Sequence, residues 1–449
     1  MATSRRTPNT NLARLLRQAA WTEQQFANAV NHAGTEAGLT LRYGQSAVAH
    51  WLSGTLPKPQ VRPVVLETLA RRLKRPVTHT EAGFPGLPSG STAGSGTSIE
   101  ELLDLSRDDM DPSRRGVLQA GLYSAVLAVP LFADLAGQDD AVAACPKKSG
   151  RVGPAQVETV RAVTDRVAGI LDEFGGGHAR PMAAAFLVNS VGPWLTAPAT
   201  ERVRQDLLAA AADLTYLTGW MAMYERAHGL GQRYYVKALH LAGEAKDHLT
   251  YCRTLRGMSL QASSLGYGAK ALELADSAAT AAPAAGPRLV AFLRGQQAHA
   301  ASMTGDRHTA ITRLREAETA LSKADSRRES IGGYDASAYL FHVSHVLYEF
   351  KDLPGSIKAL HSSLKAQPHQ ERQGRAHSHA LLAQRQFELG HLDAACAAWH
   401  RFLDDYTEIS SARGDAHFAT LRGRIRPHHR ARAVRALSER ARDVAAMKA

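Results

Sequence analysis

In the stretch QSAVAHWLSG, residues 45–54, helical spacing puts Gln45, Ser46 and His50 on one face of a short helix and turns Val48 and Trp51 to the other. An amide, a hydroxyl and an imidazole on a helix of small residues suit hydrogen bonding to base edges in the major groove of double-stranded DNA. Arg42, Tyr43 and Lys58 flank this helix, where they could meet backbone phosphates, as could the basic run RRLKR at 71–75. The plain alternative is a helical scaffold with a solvated basic flank.

A second set of polar and aromatic residues lies far along the chain. LGYGAKALELADSAATAAP (265–283), TGDRHTAITRLREAETALS (304–322), FKDLPGSIKALHSSLKAQP (350–368) and LGHLDAACAAWHRFLDDYT (389–407) align. Gly266, Gly305 and Gly390 share one turn slot, and Lys351 fills it in the third unit. Five residues on stand Ala271, Ala310, Ser356 and Ala395, and further on Ala278, Ala317 and Ser363, small enough for two helices to approach closely. The stretch LTYLTGWMAMYERAHGLGQRYYVKALHLAG fits more loosely, with Tyr235 and Ala238 in the same places. This register sets Tyr216, Trp220, Arg253, Arg256, His299, His345, Tyr348, His377 and Gln384 along an inner groove suited to a peptide, a small signal or an acidic protein segment. Core packing between hairpins is the plain alternative for each of them.

No other pattern carries chemistry. FGGGH (174–178) has no Gly-Lys-Ser/Thr after it and no strand before it, so it reads as a helix end and turn rather than a phosphate loop. His342 and His345 share a helix face, but no carboxylate or cysteine joins them at ligand spacing, so no metal is expected. No nucleophile or carboxylate pair suggests catalysis, and no cofactor is expected.

The elements that must hold these residues read as helical throughout. Residues 1–84 predict a helix-turn-helix domain of four or five short helices, with Thr22 capping the second helix and Gly34 ending it. Residues 85–112 are expected as a flexible linker, on the strength of PGLPSGSTAGSGTSIE at 85–100. Residues 113–420 are expected to form an α-solenoid, and 421–449 a basic, solvated C-terminal helix. The fold class is therefore all-α: a helix-turn-helix, a linker and a helical repeat body.

Charge sharpens the division. The chain of 449 residues carries a net charge of +12. Residues 1–84 hold 11 Lys and Arg against 4 Asp and Glu, and 421–449 hold 9 against 2, so the middle is close to neutral. A concentrated basic head suits a polyanion. The three cysteines, Cys145, Cys252 and Cys396, are far apart, which fits a reducing cytoplasm. From Gly116 to Ala133 there is no charge, and SRRGVL is loosely similar to a twin-arginine export signal. The segment is internal, rich in Gly and Ala and interrupted by Pro130, so a buried first helix of the body is expected over a membrane partner.

Residues 200–407 resemble tetratricopeptide repeats through the Gly-x4-Ala-x3-large-x2-small pattern, with a longer period and without that family's early Trp. Residues 9–84 resemble the helix-turn-helix of phage-repressor-like regulators. AVNHAGTEAGLTLRYGQSAVAHWLSGTLPKP, with RRGVLQAGLYSA and LDEFGGGHARP, is similar to actinobacterial (Streptomyces-type) transcriptional regulators that join the two modules. That resemblance implies a DNA-binding negative regulator of development, sporulation or antibiotic production. A homodimer matching paired half-sites is expected for such a domain. The alternative is a tetratricopeptide interaction scaffold that does not bind DNA.

Overall fold

The computed structural model describes residues 7–36, 39–75, 77–85, 98–111, 122–137, 152–281, 286–324 and 334–448. The chain is all-helical, with no strand among these residues. Residues 86–97 of the expected linker, 116–121 of the apolar segment, and Cys145 lie outside them.

The head consists of α1 (Thr10–Gln18), α2 (Glu23–Glu36), α3 (Gln45–Leu52) and α4 (Arg62–Leu73). Asn9 caps α1 by accepting from the Leu12 amide at 2.9 Å, and Leu12, Leu15 and Leu16 bury one face. Thr22 opens α2 with a reciprocal capping box: its Oγ1 accepts from the Gln25 amide, and its own amide donates to Gln25 Oε1. Gly34 does not end α2, which runs two residues further. A Cβ there would lie 2.4 Å from Leu41 Cδ1, so this glycine admits the returning chain. Phe26, Val30, Val48, Trp51, Val64, Val65 and Leu69 make the head's core.

Within the stretch expected as linker, Ser98–Met110 forms a helix, α5, rather than a flexible chain. Ile99, Leu102 and Leu105 bury one side, and Asp109 pairs with Arg180 inside the body. The apolar segment is not a helix over residues 122–131. It is an irregular strap with a turn at 125–126, and only α6 (Phe132–Ala136) is helical. No helix among the described residues is long and apolar enough to cross a membrane.

The body opens with α7 (Pro154–Phe174), α8 (Gly176–Phe186) and α9 (Gly192–Leu195). Five tightly packed helix pairs follow: α10 (Glu201–Tyr224) with α11 (His228–Glu244), α12 (His248–Ser264) with α13 (Gly268–Thr280), α14 (Pro287–Met303) with α15 (Arg307–Ser322), α16 (Ala336–Glu349) with α17 (Leu353–Ala366), and α18 (Arg372–Glu388) with α19 (Leu392–Tyr406). Gly266, Gly305, Gly390 and Lys351 all take left-handed φ, from +64° to +84°, in the turns within pairs. Each turn is closed by the next amide reaching back five residues, as Tyr267 to the Ala262 carbonyl at 2.9 Å. Arg226 makes the same turn between α10 and α11 at φ +58°. The small residues Ala271, Ala310, Ser356 and Ala395 are fully buried within their pairs.

The chain ends with α20 (Ala412–Ile425) and α21 (Arg432–Lys448). The expected boundary at 420/421 falls inside α20, and the basic tail is not merely solvated. Val434, Leu437, Ala441 and Val444 recur at helical spacing and bury α21 against the body, while Arg440 reaches out to Asp404 at 2.6 Å.

The two ends of the body meet. Helix α7 packs on both α10 and α18. The glycines of FGGGH make the joint: Ser410 N donates to the Phe174 carbonyl at 2.8 Å, and Gly177 N donates to the Ser410 carbonyl at 3.1 Å. Gly175 has φ +92°, and a Cβ on it would sit 2.3 Å from the Ser410 carbonyl oxygen.

Candidate functional sites

On the head, α3 is held by side chains of α2. Asn31 accepts from the Tyr43 amide and donates to the Tyr43 carbonyl, both at 2.8 Å, and Gln24 Oε1 accepts from the Gln45 amide at 3.2 Å. Trp51 is 5% exposed, with its ring edge-on to Phe26 and Tyr43, and Val48 is fully buried. This packing turns the other face out: Gln45, Ser46 and His50 are exposed, as are Arg42 and Lys58, while Tyr43 is half-buried. The body does not cover them.

The run at 71–75 is largely committed elsewhere. Arg71 pairs with Glu67 at 2.8 Å and Glu36 at 2.6 Å, and donates to the Tyr123 carbonyl. Arg72 donates to the Ala19 carbonyl, and Arg75 pairs with Glu81. These arginines bond neighbouring acceptors of the fold, Arg71 with its side chain largely covered, while Arg72 and Lys74 stay exposed and Arg75 is partly so.

The expected groove residues all fall on the first helices of the pairs, α10, α12, α14, α16 and α18, but they do not share one role. Tyr216 is 2% exposed and packs on Tyr235. Arg253 pairs with Asp213 at 2.8 Å. Tyr348 donates to Glu388 Oε2 at 3.0 Å and lies under Arg385. The others join a row of rings. Arg256 lies 3.9 Å from the centroid of Phe292 and 5.5 Å from that of Trp220. The His299 and His345 rings lie tilted at 4.7 Å, His345 meets Phe341 edge-on at 4.6 Å, and Phe341 reaches His377 at 5.8 Å. His377 Nδ1 is 2.9 Å from His417 Nε2, and Gln384 Nε2 is 3.3 Å from His417 Nδ1. Arg413, on α20, lies 4.1 Å over Tyr224 and so returns the row to α10.

Electrostatics in this row run one way. Burial, and then neighbouring arginines, push His299 down to about 4 and His417 to about 3. His345 and His377 are also held well below the ordinary imidazole range by burial, with other imidazoles and arginines adding to it. Burial lowers Arg385 to about 10. The row is therefore lined by neutral imidazoles and by guanidinium groups in poor solvent.

The sequence register missed Tyr224, Phe292, Phe341, Arg385, Arg413 and His417. Tyr224 and Phe341 stand four residues from Trp220 and His345, so helical spacing could have found them. Arg413 and His417 sit on α20, beyond the last aligned unit, and no repeat signal marks them. No group of three or more His, Cys, Asp or Glu side chains gathers to hold a metal among the described residues. An open surface hollow of about 360 Å³ beside Trp21 touches Arg71 and Arg72 of the basic run, and one of about 620 Å³ beside Arg294 and Lys323 belongs to neither set.

A family model described as the SP15 N-terminal domain matches residues 12–85, which span the head. No curated protein matches the chain.

Proposed function

We propose that this chain is a cytoplasmic DNA-binding transcriptional regulator, with α2 and α3 as its helix-turn-helix and α3 as the recognition helix. The observation that carries the reading is the two-sidedness of α3. Gln45, Ser46 and His50 stand exposed between the exposed cations Arg42 and Lys58, while Val48 and Trp51 anchor the opposite face. The basic balance of residues 1–84 supports it.

In this reading the body is a tetratricopeptide-type array that senses a small signal, a peptide or a protein partner, and that joins two chains so that their heads meet paired half-sites. The shared left-handed turn slot and the buried small residues after it support the repeat assignment. The similarity of the head and of the FGGGH region to actinobacterial regulators supports a negative role in development or antibiotic production. No catalytic step is assigned.

The test is fragment selection by the full chain from genomic DNA across a salt series. Selective binding should weaken steeply with salt, and Gln45→Ala or His50→Ala should each cost about 1–3 kcal/mol of discrimination. Binding that is absent, or equal for all fragments and indifferent to both substitutions, would leave the head as a protein-docking module and the chain as an interaction scaffold.

A further inference from the structure

Arg256 is placed where an arginine is costly. It is 5% exposed, its guanidinium lies against Phe292 and near Trp220, and its Nε and Nη1 hydrogens reach no acceptor among the described residues. No carboxylate there pairs with it; the ionisable groups nearest in effect are the phenols of Tyr216, Tyr224, Tyr235 and Tyr334. A buried charge without acceptors is disfavoured unless something supplies them.

The surroundings repeat the same demand. His299, 7% exposed and on the next pair, has an Nδ1 with no partner. Arg413, on α20, lies over Tyr224, and Arg385, on α18, donates to Ser344 Oγ and lies over Tyr348, so these two add positive charge rather than free donors. Two carboxylates lie near the row but pair with other groups, Glu225 through one oxygen only, its Oε1 being buried without a partner. Glu225 accepts from the Ala412 amide, and Glu388 accepts from Tyr348 and Arg424. No carboxylate pairs with Arg256 or His299 among the described residues, while the amide oxygens of Gln261 and Gln296, on the same two helices, are also buried without a partner.

We propose that the inner row at Arg256 and His299 seats a small organic anion, whose carboxylate or phosphate head takes the free donors of these two side chains while its apolar part lies against Trp220. Guanidinium donors match both head groups in geometry. Arg256 and His299 are 5% and 7% exposed, so a small head group suits them better than an extended peptide backbone. The inference rests on the body being the sensing half of the protein, and it needs no DNA for its test.

The experiment uses the full chain at pH 7 and constant ionic strength. Sodium phosphate and sodium benzoate are the probes, followed by calorimetry and thermal unfolding. At least one probe should bind saturably and raise the Tm, and comparing the two tells phosphate from carboxylate as the preferred head. Arg256→Met should weaken that binding by about tenfold or more and raise the Tm of the ligand-free chain, because it removes a buried unpaired charge. Arg294→Met, which breaks an ion pair with Glu316 and touches neither Arg256 nor His299, should leave binding unchanged. The proposal fails if neither probe saturates, or if a hexaglutamate peptide binds where both probes do not. It also fails if Arg256→Met lowers the ligand-free Tm while binding persists, which is the behaviour of a structural strut. Should Arg256→Met not fold, Arg256→Lys assigns the Arg256 Nε–H resonance, and a resonance that stays still on probe addition to the wild-type chain overturns the idea. DNA selection by the same preparation reports separately on the regulator reading.

Discussion

Glu225 shows how one buried atom sets a pH response. Its Oε2 accepts from the Ala412 amide at 3.2 Å, while its Oε1 is buried without a partner. Burial pushes its carboxyl up to about 7, against the pull of Arg180 and Arg413. Below the ordinary carboxylate range, folded and unfolded chains are both protonated and the site costs nothing. Between that range and pH 7 only the unfolded chain is ionised, so stability falls as pH rises, and above pH 7 the full cost is present. Glu225→Gln keeps an acceptor for Ala412 and removes the charge. It should stabilise the chain by about 2 kcal/mol at pH 8 and by nearly nothing at pH 4, measured by urea unfolding. An equal effect at both pH values would mean that the charge is not what matters there.

At the scale of the element, α3 is aimed by its neighbour rather than by its own sequence. Eight residues separate α2 from α3, a length that leaves many approaches open. Asn31 selects one by bonding both the amide and the carbonyl of Tyr43. Asn31→Ala leaves those two groups without their partner and frees the connection. It should cost about 1–3 kcal/mol of head stability and weaken DNA selection, although residue 31 is not proposed to touch DNA. A variant with unchanged unfolding and unchanged selection would show that the core alone holds α3. The turns in the body illustrate the opposite case. The glycines of the 266, 305 and 390 slots announce a left-handed residue, and Lys351 is marked only by its alignment with them.

At the scale of the whole molecule, two of the ties among the described residues join distant parts of the chain. One is the joint at Gly175–Gly177, which brings the end of the array back to its beginning. The other is the strap at 122–131. Ser124 exchanges two 2.8 Å hydrogen bonds with Gln232 of the body, Ala125 N donates to Glu67 of the head, and Tyr123 stacks on Tyr267. The inner row adds a collective acid sensitivity. His299, His342, His345, His377 and His417 all have folded values below the ordinary imidazole range. Their contribution is whole above about pH 6.5 and is lost as pH falls, because the unfolded chain binds protons that the folded chain refuses. Between pH 6 and 5 the body should lose up to about 1.4 kcal/mol per histidine, with proton uptake on unfolding. A urea midpoint unchanged over that interval would show that the row is better solvated than its packing implies.

Local chemistry was legible from the residues alone. Helical spacing foretold that Val48 and Trp51 would be buried opposite Gln45, Ser46 and His50, and the turn slot foretold which small residues would meet inside each pair. Both follow from rules that act over a few residues, namely helix geometry, capping and left-handed glycine. The sequence misled where a residue's role depends on something distant. Gly34 looked like a helix end but makes room for Leu41. RRLKR looked like a free basic run, yet Arg71 answers Glu36, Glu67 and the strap. Residues 98–110 looked like linker because their apolar face has no local partner; it finds one on the body. Whether Arg256 is paired or unpaired was decided only by tertiary structure, because a buried charge takes its meaning from acceptors that arrive from other helices.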